Sequence, residues 1–288
     1  MPPASSSAAV NAAHHRYHRW NDGGRTVAIA ISDSGGDGPA WLLLPALSTI
    51  SSRSEWEPFA AALRDGGQRL DRQSPHLPYD AGLLARCLAD LRREVCPPDC
   101  GLIAAGHAAS IALLAAERHG LTFREWVLVA PTWRGPLPTM AGRRRRAFTA
   151  IRALVEAPLV GPMLHRLNTT RAMLGWMSRR HVDVAGPGLS PEGLAARQRI
   201  SRQPGARFAS AAFVTGGLDP FDTPDGWLAA ARALQSPLTV VIADQAPPRS
   251  LAAMQGLAAV ADRTLHLPGR LGAHQECGRE LAAWLGGC

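Results

Sequence analysis

Lysine is absent from this 288-residue chain, and all 31 of its basic side chains are arginine. Together with abundant alanine, glycine and proline, this reads first as the compositional bias of a GC-rich genome. The excess of arginine over acids, a formal +8, still creates a positive field able to attract phosphates, anionic lipids or acidic partners. No recognisable nucleic-acid-binding module accompanies the charge, so no nucleic acid partner is expected. Long apolar runs are missing as well. None reaches the roughly 18 residues needed to span a bilayer, and MPPASSSAAVNAAHH has no apolar signal core behind a basic start. A soluble, cytoplasmic protein is expected. Cysteine is scarce and odd in number, with Cys87, Cys96, Cys100, Cys277 and Cys288. Cys96-Pro-Pro-Asp-Cys100 has ligand-like spacing, yet no second Cys/His pair of matching spacing joins it, so reduced thiols are expected and no metal. No Gly-x-Gly-x-x-Gly or phosphate loop follows any strand candidate, which removes the usual nucleotide reading, and no cofactor is expected.

What is present is enough apolar residue, 46% of the chain, for one large core. After a polar, Ala/Ser-rich start (1–16, expected to be disordered), YHRW and RTVAIAIS form a hairpin around Asn21-Asp22-Gly23-Gly24. The continuous apolar run Ala40–Pro45 predicts a strand buried on both faces. Helical spacing over Trp56–Arg64, a weak strand at Gln68–Leu70, a helix over Ala81–Val95 and a strand at Gly101–Ala105 follow. Further strands are expected at Trp126–Ala130, Ala211–Thr215, Leu238–Ile242 and Thr264–Leu267. Alternating strands and helices predict an α/β fold with a mainly parallel central sheet covered by helices on both faces. Sites in such sheets lie at the carboxyl ends of strands.

At one such end, Leu102–Ser110 (LIAAGHAAS) runs from a short apolar strand through a sharp turn into the helix-like IALLAAERHG. This resembles the nucleophile elbow of the α/β-hydrolases, small-x-nucleophile-x-small on a strained turn. Gly106 and Ser110 then supply the small flanks and Ala108 takes the nucleophile's place, where a methyl group cannot attack a carbonyl. Pro45-Ala46-Leu47-Ser48 stands where the family carries His-Gly-x after its third strand. Val214–Pro220 (VTGGLDP) is similar to the Gly-x-x-Asp acid loop, and Leu271–Glu276 (LGAHQE) precedes the last helix, where the family places its histidine. The order elbow, acid, histidine agrees with that superfamily, which the chain resembles over nearly its whole length beyond residue 16. More narrowly, LLLPALSTISSR, APTWRGPLPTM and LVEAPLVGPMLHRLNTTR look like a cyanobacterial and chloroplast group of α/β-hydrolase-fold proteins. The chain departs from the family pattern at Ala108, at Pro45, and in a strand-4 loop reduced to Leu70-Asp71-Arg72-Gln73-Ser74.

The resemblance implies His274 as base, Asp219 as its acid with Asp222 as a substitute, and backbone N–H groups at Leu47 and Ala109 as an oxyanion hole. Ala46, Ser48, His107, Trp133, Met173 and Trp176 are the expected pocket walls, while Ser110 is expected to bond within the helix's first turn. The core is expected over 17–133 and 207–288, interrupted by a helical cap at 134–206. In the cap, Phe148, Ile151, Leu154 and Val155 form one stripe, and Met163 to Met177 cluster further apolar residues. These either pack the cap onto the core or roof an apolar pocket. Arg143-Arg144-Arg145-Arg146 is either a solvated helix face or a contact for an anionic membrane.

Three functions stay open: a scaffold that binds a small apolar ligand or a protein partner without turnover; a His274/Asp219 base that needs no serine; and weak hydrolysis by water activated at His274.

Overall fold

The computed structural model describes residues 14–35, 38–62, 67–72, 79–184 and 187–286. The expected tail lies outside the described residues as far as residue 13, as do residues 73 and 74 of the reduced loop. His14–Arg16, expected in the tail, already belong to the first strand.

Eight described strands form one sheet: β1 (His14–Asp22), β2 (Arg25–Asp33), β3 (Trp41–Leu44), β4 (Gly67–Arg72), β5 (Gly101–Ala105), β6 (Trp126–Val129), β7 (Leu238–Ala243) and β8 (Arg263–Leu267). Their spatial order is β1-β2-β4-β3-β5-β6-β7-β8. The β1–β2 hairpin closes through Gly23 and Gly24 at φ 53° and 90°, the left-handed pair that a two-residue hairpin loop needs. β2 also runs antiparallel to β4, and every later neighbour pair is parallel. β3, β5, β6 and β7 are buried along their whole length, which is why each reads as an unbroken apolar run.

Helices α2 (Ala81–Val95), α3 (Gly106–His119), α10 (Pro224–Arg232) and α11 (Pro248–Ala258) pack side by side over one face. The other face is covered by α1 (Glu57–Ala62), α12 (Ala273–Glu276) and α13 (Gly278–Gly286). Asp80 starts α2 by accepting the Leu83 N–H at 2.7 Å. Gly120, at φ 62°, ends α3.

Between β6 and β7 the chain builds a helical insertion: α4 (Pro136–Ala141), α5 (Arg146–Glu156), α6 (Val160–Asn168), α7 (Arg171–Met177), α8 (Pro191–Ser201) and α9 (Ala206–Thr215). The last of these corrects an expectation. Ala211–Thr215 is the end of α9 and not a strand, and β6 pairs directly with β7, Trp126 opposite Leu238. A five-residue stretch of four apolar residues and a threonine suits either state. Here the wider window ARFASAAFVT is alanine-rich, and Gly205 and Gly216, both at φ 81°, bound a full helix. A buried pair braces the insertion from within: Arg197 of α8 grips Asp183 with both terminal nitrogens and donates to Ser178 at 2.7 Å, while Arg270, outside the insertion, donates to the Asp183 carbonyl at 3.2 Å.

Candidate functional site

The strand-to-helix bend is where the structure differs most usefully from the sequence reading. β5 passes into α3 without a linking residue, from Ala105 at φ −96° to Gly106 at φ 52°. The crest of the bend is therefore Gly106, and Ala108 lies two residues inside the helix with its methyl group on a cavity. The small-x-nucleophile-x-small pattern still fits, but as Ala104-Ala105-Gly106-His107-Ala108. Glycine suits the position twice over. A left-handed backbone disfavours any Cβ, and a Cβ here would stand 2.9 Å from the Ala46 Cβ. The available signal was the glycine itself, the first residue after the apolar strand.

The expected oxyanion hole shifts with the bend. The residue after the crest is His107, not Ala109, and its N–H already donates to the Ala46 carbonyl at 3.2 Å. Ala46 in turn donates its own N–H to Glu55 Oε2 at 3.0 Å. Leu47 follows in a left-handed conformation, φ 56°, which a branched side chain adopts only when its surroundings impose it. Ser48 and Ser51 share a hydrogen bond between hydroxyls at 2.8 Å, and Ser51 also receives the Ser48 N–H. The loop after β3 is thus closed down onto the bend.

His274 and Asp219 sit in different surroundings, and no hydrogen bond or ion pair joins them among the described residues. His274, fully buried on α12, places Nε2 3.3 Å from Glu55 Oε2 and its ring 4.8 Å from that of Trp56. Glu55 was missed by the sequence reading, because a lone acid in SSRSEWEP carries no motif. Asp219 follows helix α9 and not a strand. Its Oδ1 accepts the Gly135 N–H at 2.7 Å, and Arg144 Nε lies 3.8 Å from Oδ2. Burial raises the Asp219 carboxyl above the usual range, against the pull of His107, the Gly135 N–H, Arg144 and Arg134. Asp222 is exposed, 3.6 Å from Arg144. His107 is a packed residue: Nε2 lies 2.8 Å from the Leu218 carbonyl, the ring meets Phe213 edge-on, and burial lowers its basicity.

A cavity of about 130 Å³ opens beside the bend, walled by Leu44, Leu47, Leu84, Leu88, Ala108 and Ile111, with Ser48, Ser51 and Tyr79 as its polar groups. Of the expected walls, Ser48 lines it. Ala46 packs against Gly106 instead, and Trp133 stacks on Trp227 with its other partner, Arg134, 4.0 Å from the ring centre. Met173 and Trp176 are exposed on α7 and roof nothing here; Trp176 borders a second, open cleft of about 570 Å³ with Arg179, Arg180 and Arg270. Ser110 is fully buried and donates to the Thr132 carbonyl at 2.9 Å, across to the loop after β6 and not within its own helix. The Cys100 thiol donates to the Gly101 carbonyl at 3.2 Å, and the mutual influence of the neighbouring Cys96 and Cys100 thiols raises the first and lowers the second. No group of three or more metal-ligating side chains is assembled among the described residues.

No protein-family model matches the chain, and no curated protein is similar to it in sequence. Solved structures are similar in fold. The haloalkane dehalogenase DatA from Agrobacterium tumefaciens C58 superposes with a TM-score of 0.67 at 16% identity, covering 94% of this chain and 96% of that one. A putative lipase from Acinetobacter baumannii AYE gives 0.69 at 14% identity, over 95% and 90% of the two chains. Cfl2 from Burkholderia cenocepacia gives 0.68 at 19% identity, over 95% of each. With this sheet order, a glycine-crested bend after β5 and a helical insertion after β6, the chain has the α/β-hydrolase fold.

Proposed function

We propose that this protein is a binding member of the α/β-hydrolase fold, of the cyanobacterial and chloroplast type its sequence resembles, with the acyl-transfer route closed. Its insertion acts as a cap, and the cavity beside the bend takes a small apolar ligand. One observation carries the reading: Gly106 at the crest is packed on Ala46, whose carbonyl holds the His107 N–H, so the nucleophile and one of the two expected oxyanion donors are lost together. A largely apolar space of about this size accepts a benzene-sized molecule, and the paired hydroxyls of Ser48 and Ser51 offer one polar contact in its wall.

The test is paired. Benzene should raise the melting temperature of the unmodified protein, and Ala108→Leu, which fills the cavity, should abolish the shift. A fluorophosphonate probe should label no serine, and esters of graded acyl length should not turn over. Labelling at Ser48 or Ser110, or ester turnover, overturns the binding reading.

A second reading rests on the His274–Glu55 pair. Glu55 Oε2 lies on both His274 and the Ala46 N–H, so a movement of the loop after β3 would bring a histidine–carboxyl pair to the cavity and allow attack by water without a covalent intermediate. Turnover that disappears in His274→Ala selects this reading over the first.

A further inference from the structure

The charge of this chain and its uncovered apolar surface fall in the same place. Residues 134–184 hold ten arginines against two acids, Glu156 and Asp183, a net +8, while the rest of the sequence balances at 21 of each sign. Of the eleven large hydrophobic side chains exposed among the described residues, ten lie between Met140 and Val184, and Tyr17 is the other. They recur at helical spacing: Ile151 and Leu154 on α5, Val160, Met163 and Leu167 on α6, Met173 and Trp176 on α7. The inward faces use other residues, with Phe148, Gly161 and Leu174 buried. Each helix therefore carries an apolar stripe that no described part of the chain covers.

The geometry suits lying on a surface rather than passing through it. No single described helix is long and apolar enough to cross a membrane, and α5 meets α6 at a bend of 103°. Leu159 stands at that corner, 87% exposed. Arginines rim the stripes: Arg143, Arg145 and Arg146 ahead of and opening α5, Arg166 on α6, Arg171 opening α7, and Arg179 and Arg180 just beyond it are all exposed. None of these forms an ion pair among the described residues, whereas Arg144 and Arg152 are engaged with nearby acids. At one end, Trp176, Arg179, Arg180 and Arg270 border the open cleft of about 570 Å³. Burial, together with the nearby charges of Arg180 and Arg270, lowers the basicity of His181 there.

We propose that the outer face of α5, α6 and α7 docks on an anionic lipid bilayer, with the apolar stripes entering the boundary between headgroups and acyl chains and the arginines on lipid phosphates. The arginine-bordered cleft beside Trp176 receives one headgroup phosphate. A bilayer satisfies both halves of the surface at once. Nucleic acid would meet the charge but leave the stripes against phosphate and water, and a second copy would cover the stripes but set +8 against +8. The inference is independent of what occupies the cavity beside Gly106.

Co-sedimentation with vesicles tests it, comparing phosphatidylcholine alone with phosphatidylcholine carrying one part in three of phosphatidylglycerol. Binding to the anionic vesicles is expected to exceed binding to the neutral ones by about tenfold or more and to fall with added salt. Leu159→Glu combined with Met163→Glu should weaken it about tenfold or more. The triple variant Arg143→Gln, Arg145→Gln, Arg146→Gln should weaken it comparably and flatten its salt dependence. All these positions are exposed, so an unchanged circular dichroism spectrum is expected and separates lost docking from lost folding. Equal binding to both vesicle types, or indifference to the Leu159/Met163 pair, overturns the proposal. So does a dimer in sedimentation velocity that the same pair dissolves, or tight binding of duplex DNA that the pair leaves intact.

Discussion

Residues 134–184 and the remainder of the chain use the same kind of apolar stripe for opposite ends. In α2 and α3 the residues at helical spacing, Leu84, Leu88 and Leu91 or Ile111 and Leu114, are buried against each other and the sheet. In α5 and α6 the corresponding stripe, Ile151, Leu154, Val160, Met163 and Leu167, faces outward. Periodicity thus reports that a helix has an apolar face and leaves open what covers it. Charge tells the two regions apart: the remainder is balanced, and residues 134–184 carry the whole excess of arginine.

The contrast predicts a gradient of mutational effects. Trp56→Ala should sit at the top, because its ring is fully buried between Phe59 and His274; about 3–5 kcal/mol of unfolding free energy should be lost in a urea titration. The insertion has one position of comparable weight. Arg197→Ala strands a buried Asp183, and a loss of about 3–5 kcal/mol is expected by the same titration; a loss below about 1 kcal/mol would mean that the pair does not brace the insertion. Gly106→Ala combines a left-handed backbone with a 2.9 Å approach to Ala46 and should cost about 1–3 kcal/mol, whereas the same titration on Ala108→Ser should give far less. Equal costs at the two positions would place the crest elsewhere.

Acid separates the regions by titration. His107 is less basic folded than unfolded, so below its ordinary value near 6.5 the unfolded chain binds the extra proton and stability falls as pH drops. Asp219, raised in the fold, works the other way: protonation at lower pH relieves a buried charge, so its own contribution rises with acid. His107→Gln should flatten the decline between neutral pH and the carboxylate range, read as melting temperature against pH; an unchanged slope would assign the decline to His165 and His181, which burial also makes less basic. Smallest of all should be Leu159→Glu, whose effect on stability in solution should stay under about 0.5 kcal/mol, because the side chain touches little to lose.

Much of the fold could be read from residues alone, and particular elements show why. Helix α2 and strand β5 fall on their expected boundaries, since Asp80 and Gly101 punctuate strongly periodic or unbroken apolar runs. The Ala211–Thr215 stretch did not, because so short a run, four apolar residues and a threonine, fits a strand and a helix equally and only the direct pairing of β6 with β7 excludes a strand. The site was less readable. Gly-His-Ala-Ala-Ser matches the family pattern in a register two residues away from the bend, and nothing local distinguishes the two. Asp219 was assigned through its likeness to a strand-end loop, and with that strand gone it belongs with Gly135 and His107. Glu55, the partner His274 does have, lies 219 positions away in the chain.

By itself the sequence determined the α/β layering, the helical segment after β6 and the absence of a serine from the expected turn, because each follows from local periodicity, composition or residue identity. Only the tertiary structure decided which residue crests the bend, which acid meets His274 and which apolar stripes go uncovered. These depend on distances between segments far apart in the chain, and such distances are set by packing rather than by any local preference.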